Sequence, residues 1–255
     1  MTRVLFITGG ATGIGAASAR EAARCGYAVA INYRTHQHAA AALVEELRRE
    51  GAHAMAVAGD VTNPEQVASG FDAVEAELGP ISALINSAAA FLPPTRVADA
   101  DAEGLVRLLT TNVLGVMLCC REAARRMSTA RGGAGGVVVN VSSMAATIGG
   151  RPGNAHYAAS KAAVDAFSIG FAKEVALEGI RVVSVRPGFT ETDATARRLD
   201  DAAFRSAISA TIPLGRPARV EEVARPIVWL LSDAASFITG SCLDISGGGF
   251  NVGRA

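Results

Sequence analysis

What this 255-residue sequence has little of already excludes several classes of protein. No apolar run approaches the ~18 residues needed to cross a bilayer, so no transmembrane segment is expected. Met1-Thr2-Arg3 enters apolar sequence at Val4 and meets glycine by Gly9. That is too early for the apolar core and cleavage site of a signal peptide, and a cytoplasmic protein is expected. Neither sign of charge is in excess: 24 basic and 24 acidic residues cancel, and the pairs Arg48-Arg49, Arg125-Arg126 and Arg197-Arg198 stand apart in sequence. A concentrated basic footprint for nucleic acid is therefore excluded. The four cysteines, Cys25, Cys119, Cys120 and Cys242, form no CxxC pair, and their apolar neighbours mark them as reduced core thiols. His36 and His38 form an HxH pair without Cys or carboxylate ligands nearby, so no metal is assigned. Internal repeats and linkers are absent too, and one domain over 1–255 is expected.

What is present alternates. Short apolar runs at Val4–Ile7, Ala28–Asn32, Ala54–Ala58, Ile81–Ile85, Val137–Val141, Ile180–Val185 and Cys242–Ile245 read as strands. Continuous apolar runs of this length fit strands buried on both faces. Helical stretches separate them: Ala16–Cys25, Ala39–Glu50, Pro64–Leu78, Gly104–Met127, His156–Leu177 and Val220–Leu231. This alternation predicts an α/β fold with a doubly wound, parallel, seven-stranded sheet. Phe189 to Pro217 loses strand character and reads as a short helical lid over a pocket.

Two stretches carry chemistry. Thr8-Gly9-Gly10-Ala11-Thr12-Gly13-Ile14-Gly15 follows the first strand and opens the first helix. In that setting bare backbone N–H groups and a helix N-terminus can meet a pyrophosphate, whereas a lone glycine turn is only a tight turn. The second stretch is Tyr157-Ala158-Ala159-Ser160-Lys161, which sets a phenol and an ammonium four residues apart, on one helix face. A nearby positive charge favours phenolate over phenol. Taken alone the pair reads first as an ordinary solvated face; Ser142-Ser143 upstream and the glycine turn overturn that reading.

Gly9, Gly13 and Gly15 are spaced as TGxxxGxG, and here the chain resembles the short-chain dehydrogenase/reductase family in its shorter, single-domain branch. The resemblance covers nearly the whole chain and implies a Rossmann-like fold. It implies that Gly9, Thr12, Gly13, Ile14 and Gly15 hold a dinucleotide and that Asp60-Val61 meets its adenine ring. Asn86-Ser87-Ala88-Ala89 stands where the family has NNAG, so Asn86 and Ala88 take cofactor positions with the motif's glycine replaced. Pro187-Gly188 with Thr190 and Thr192 matches the nicotinamide loop. Asn112, Ser143, Tyr157 and Lys161 match the catalytic set, although the Ser143 to Tyr157 spacing is fourteen, one longer than the usual pattern. Ser142 competes for the serine role; Ser143 is chosen because an extra residue near Gly149–Gly153 costs little in a loop.

The implied reaction is hydride transfer between a nicotinamide and a carbonyl or secondary alcohol, on substrates resembling 3-oxoacyl thioesters, sugars or other alcohols. Tyr157 is expected to act as general acid or base, and Ser143 to hold the carbonyl oxygen. Lys161 is expected to hold ribose and bias Tyr157 toward phenolate, with Asn112 placing a water that links Lys161 to solvent. Two rivals remain: a dinucleotide-binding regulator without turnover, and a hydrolase using Ser143 with His156, which lacks the GxSxG elbow. Cofactor choice turns on Tyr33 and Arg34. No carboxylate ends the second strand, and Arg34 offers a guanidinium fork for a phosphate, so NADP is expected to be preferred modestly over NAD. Apolar surplus on the two long helices, with the family resemblance, implies a homotetramer.

Overall fold

The first strand shows how alternation builds two core layers. In β1 (Val4–Thr8) every residue is buried, but Leu5 and Ile7 enter one layer while Val4 and Phe6 enter the other. In the computed structural model, which describes residues 2–249, the same division runs across a seven-stranded sheet. After β1 come α1 (Gly13–Arg24), β2 (Ala28–Tyr33), α2 (Gln37–Arg49), β3 (Ala54–Ala58), α3 (Pro64–Leu78) and β4 (Ile81–Asn86). The chain continues with α4 (Ala102–Leu109), α5 (Gly115–Met127), β5 (Gly136–Val141), α6 (Ala145–Ile148), α7 (Ala155–Val175) and β6 (Ile180–Pro187). It ends with β7 (Thr190–Glu191), α8 (Asp193–Leu199), α9 (Ala202–Ala210), β8 (Ala218–Arg219), α10 (Val220–Leu230) and β9 (Ser241–Ile245).

The large sheet has the order β3-β2-β1-β4-β5-β6-β9, and every pairing in it is parallel. One layer packs α1, α2 and α10 on the sheet through Ala19, Leu43, Leu47, Val223 and Ile227; the other uses Phe71, Val74, Cys119, Ala123, Val164 and Phe171 from α3, α5 and α7. Each fully buried Leu, Ile or Phe contributes ~1.5–3 kcal/mol. Local signals start the helices. Asn63, for example, accepts from the N–H groups of Glu65 and Gln66, and Pro64 fills the first position of α3, where its missing N–H costs nothing.

Four differences from the sequence reading matter. The first helix begins at Gly13 rather than Ala16, because the first-turn N–H groups need no intrahelical partner and glycine is tolerated there. The short helix α6 was not expected; Gly149 at φ 75° ends it after four residues, too few to show a helical period. The expected lid holds α8 and α9 but also β7, which pairs in parallel with β8 through Thr190–Ala218 and Glu191–Arg219. Two-residue strands carry no readable alternation. Lastly, α4 and α5 are joined by a π turn, Thr110–Leu114, in which the Gly115 N–H reaches back to the Thr110 carbonyl. The whole helix, Ala102–Met127, is long and apolar enough by length and composition alone to cross a membrane, a test that a core helix also passes. In this fold its inner face, with Val116, Cys119, Cys120 and Ala123, packs on the sheet.

Candidate active site

β1 pairs with β2 on one side and β4 on the other, so the connections leaving these strands diverge and open a crevice at their C-terminal ends. The glycine turn lines it. A Cβ on Gly9 would lie 2.7 Å from the Cα of Ala88, and one on Gly15 would lie 2.3 Å from the Gly9 carbonyl oxygen, so neither position admits a side chain. Gly13 has φ 54°, and a Cβ there would meet the Thr192 methyl at 3.5 Å. Thr12 precedes α1 in extended geometry without a side-chain cap, and the first turn holds no acidic residue. The N–H groups at this positive helix end are thus free to face an anion, and this cradle fits a dinucleotide's pyrophosphate. Ile14 turns its side chain onto the core, which leaves its backbone to the crevice.

On the adenosine side Tyr33 ends β2 half-buried and Arg34 follows exposed. Arg34 reaches Asp60 Oδ2 at 3.3 Å, while Asp60 Oδ1 accepts from the Thr62 N–H at 2.9 Å and hydroxyl at 2.8 Å. Burial alone would raise the Asp60 carboxyl; the Thr62 bonds and the Arg34 guanidinium outweigh it and hold the group below its ordinary value. Val61 turns inward, and a Cβ on Gly115 would lie 2.8 Å from its methyl group. Sequence reasoning passed over Asn32, whose amide donates to the Val57 and Gly59 carbonyls and fixes the chain after β3. An amide in an otherwise apolar strand was the available signal.

The Asn86 side chain turns away from the crevice into the sheet. Its amide nitrogen donates to Asn140 Oδ1 at 2.9 Å and toward Cys120 Sγ at 3.4 Å, and Thr8 Oγ1 lies 3.5 Å from its oxygen. Asn140 continues the chain to Ser168 Oγ at 2.8 Å. The side chain is thereby committed to a buried polar ladder across β1, β4, β5 and α7, because a buried amide must be satisfied internally. The backbone of Asn86 to Ala88 remains at the crevice, and Ala88 takes the place of the motif's glycine while its N–H lies 3.3 Å from Thr8 Oγ1.

The polar groups beyond β5 converge. Ser142 donates to the Lys161 carbonyl at 3.0 Å and is buried, so the two serines separate: Ser143, half-buried, is the one that stands beside the Tyr157 phenol. Burial pushes the phenol up to about 12, partly offset by Ser143. Lys161 Nζ lies 5.8 Å from the Tyr157 ring centroid and donates to the Val141 carbonyl at 2.8 Å. Burial brings its ammonium down to about 8, against the pull of Asp165. In the cofactor-free chain, then, loss of solvent sets the direction of the Tyr157 shift, and the Lys161 ammonium is directed at a carbonyl. Phe91 stacks on Tyr157, with centroids 5.0 Å apart.

Asn112 is buried at the π turn between α4 and α5. Its side chain accepts from the Ala90 N–H at 2.7 Å and donates to the Ala90 carbonyl and Ser160 Oγ, both at 3.1 Å, which braces the loop carrying Phe91. Both ring nitrogens of His156 are buried without a hydrogen-bond partner, so Ser143 has no base there and the hydrolase reading loses its dyad. Pro187 ends β6, and its carbonyl accepts from the Met144 N–H at 3.0 Å, beside Ser143. A Cβ on Gly188 would lie 2.9 Å from the Ser246 Cα, while Thr190 is buried and Thr192 caps α8 together with Thr195.

A family profile described as enoyl-(acyl carrier protein) reductase matches residues 9–250. The chain is 42% identical to an uncharacterized oxidoreductase, YgfF, of Escherichia coli K12, over 96% of this chain and 99% of that one. It is 38% identical to cis-4-hydroxycyclohexanecarboxylate dehydrogenase of Sinomonas cyclohexanicum, over 96% of each chain. Among solved structures, a blue fluorescent protein from a metagenomic library in complex with NADPH superposes with a TM-score of 0.88 at 30% identity, covering 96% of this chain and 97% of that one. The chain belongs to the short-chain dehydrogenase/reductase family. It is an oxidoreductase that transfers hydride between a nicotinamide dinucleotide and a carbonyl or secondary alcohol.

Proposed function

We propose that Ser143, Tyr157, Lys161 and Asn112 carry this reaction, and that NADP is the modestly preferred cofactor. The observation that carries the reading is the placement of Ser143 beside the Tyr157 phenol, with Lys161 one turn along α7, beside a glycine cradle that excludes any side chain. When bound, the nicotinamide supplies or accepts a hydride at C4. In carbonyl reduction Tyr157 would give its proton to the carbonyl oxygen, which Ser143 would hold as charge develops. A phenol raised to about 12 is protonated at neutral pH, the form that the reductive direction needs. Lys161, brought down to about 8, can restore that proton. Asn112 would seat the water leading to Lys161, and its π turn supports this by freeing backbone carbonyls from regular helical bonding. Gly9, Thr12, Gly13, Ile14 and Gly15 would meet the pyrophosphate through backbone N–H groups, with Asp60 and Val61 at adenine and Pro187, Gly188, Thr190 and Thr192 at the nicotinamide.

The NADP preference rests on Arg34 and on the absence of a carboxylate at Tyr33. Arg34 already pairs with Asp60, which supports a preference of modest size, since a phosphate must share it. The test follows reduced-nicotinamide absorbance with a panel of ketones and alcohols. Arg34→Ala should raise the KM for NADPH and leave that for NADH nearly unchanged. A wild type that favours NADH, or turnover that needs no nicotinamide, would overturn the reading.

The lid at 189–217, a homotetramer and a cytoplasmic location complete the proposal. Val106, Leu109 and Met117 expose apolar side chains along the α4–α5 helix, and Leu243 does so on the edge strand β9. Such surplus surface supports assembly. Light scattering that shows a monomer at micromolar concentration would reject it.

A further inference from the structure

We infer that the substrate carries a carboxylate remote from its reacting carbonyl, and that Arg151 is the anchor for that group. The inference rests on the hydride-transfer reading of the site. Two half-buried arginines, Arg151 and Arg181, have guanidinium groups shifted down chiefly by burial, and their surroundings differ. Arg181 donates to the carbonyls of Leu230, Ser232 and Ile238 and feels the charge of Asp233. Arg151 donates to Thr211 Oγ1 at 3.2 Å, and the charge acting on it is that of another cation, Arg198. Among the described residues neither Arg151 nor Arg198 has a carboxylate within ion-pair distance; Arg198 lies instead over the Phe204 ring at 4.4 Å. A half-buried cation held next to a second cation costs free energy that an arriving anion would offset.

The position fits a substrate anchor. Arg151 lies in the loop between Ser143 and Tyr157, and a Cβ on its neighbour Gly150 would lie 3.3 Å from the Ala158 Cβ, next to Tyr157 in α7. The Gly153 carbonyl of the same loop accepts from the Thr95 N–H at 2.9 Å, which ties it to the segment carrying Phe91. Phe91 is 62% exposed with its ring stacked on Tyr157, so it offers a flat apolar wall beside the reacting position. Thr192, at the start of α8, lies against the glycine turn. The far end of a substrate whose carbonyl sits at Tyr157 is thus directed toward Arg151 and Thr211. A guanidinium fork with an adjacent hydroxyl suits the two oxygens of a carboxylate.

The test compares 4-oxocyclohexanecarboxylate with its methyl ester as substrates of the full-length enzyme with NADPH, in wild type, Arg151→Ala and Arg151→Lys. Wild type should favour the acid in kcat/KM by about 10- to 100-fold, the range expected for a hydrogen-bonded charge. Arg151→Ala should collapse that ratio, mainly through KM for the acid, and Arg151→Lys should restore part of it. Calorimetry adds a readout without turnover: cyclohexanecarboxylate should bind the enzyme–NADPH complex more tightly than cyclohexanecarboxamide, and Arg151→Ala should remove the difference. Equal use of acid and ester by wild type, an Arg151→Ala loss that is the same for both, or a preference confined to phosphate-bearing thioester ketones would overturn the inference while leaving the hydride-transfer reading standing. Absence of nicotinamide-dependent turnover with every ketone would overturn both.

Discussion

The two walls of the crevice are made differently. On the cofactor side the surface is backbone: the bare N-terminus of α1, the glycines that keep Ala88 and the turn in contact, and a loop after β4 whose Asn86 side chain faces inward. On the substrate side the surface is side chain: Ser143, Tyr157, Phe91 and Arg151 project from α7 and from loops that meet at Thr95, Gly153 and Thr211. A backbone surface recognises what all dinucleotides share, whereas a side-chain surface can change its choice of substrate with little cost to the sheet. The difference teaches that cofactor class and substrate class are separable properties of this chain.

Variants on the two walls should fail in different ways. Tyr157→Phe keeps the ring stacked on Phe91 but removes the transferable proton, and a loss in kcat of roughly 10²-fold or more is expected with NADPH affinity little changed. Stopped-flow rates and cofactor titration check this; near-normal turnover would remove Tyr157 from the mechanism. Gly15→Ala should do the reverse, because its Cβ would fall 2.3 Å from the Gly9 carbonyl oxygen. The cradle must open, and an NADPH dissociation constant about tenfold higher or more is expected, together with a lower Tm. Unchanged affinity in Gly15→Ala would mean that the turn does not touch the cofactor.

A smaller effect is expected for Asn86→Ala, which leaves Asn140 and Thr8 short of a buried partner. It should destabilise the protein by about 1–3 kcal/mol in denaturant unfolding while changing the KM for NADPH less than Gly15→Ala does. A large KM effect without destabilisation would return Asn86 to the cofactor wall.

The smallest effect is a pH dependence. The Lys161 ammonium titrates at about 8 in the folded protein against 10.5 for its ordinary value, so protonation is disfavoured by folding. The penalty is fully present below pH 8, where both states are charged. It is relieved as pH rises from about 8 toward 10.5, because over that window the unfolded chain binds more protons. The Tm difference between cofactor-free wild type and Lys161→Met should shift by a few degrees in favour of wild type across that window. A flat difference would show that Lys161 is not desolvated.

Legibility in the sequence followed the same divide. The parallel sheet was readable because strands buried on both faces are mostly apolar, as Val4–Ile7 and Val137–Val139 are. Gly9, Gly13 and Gly15 were readable because only glycine allows their contacts or a φ such as 54° at Gly13. Ser143, Tyr157 and Lys161 were readable from order and spacing. The choice of Ser143 over Ser142 was a judgement about loop length, and the chain's geometry separates them by giving Ser142 to the Lys161 carbonyl.

By itself, then, the sequence determined the alternation of elements, the glycine cradle and the set of candidate reacting side chains, since each depends on a residue type at a local spacing. Tertiary structure decided where the amides of Asn86 and Asn112 point, that burial raises Tyr157 while Lys161 turns to a carbonyl, that Phe91 covers Tyr157, and that Arg151 stands beside Arg198 without an anion. These are properties of partners distant in the chain: desolvation and hydrogen-bond competition depend on what surrounds a group in space, and no local spacing encodes them.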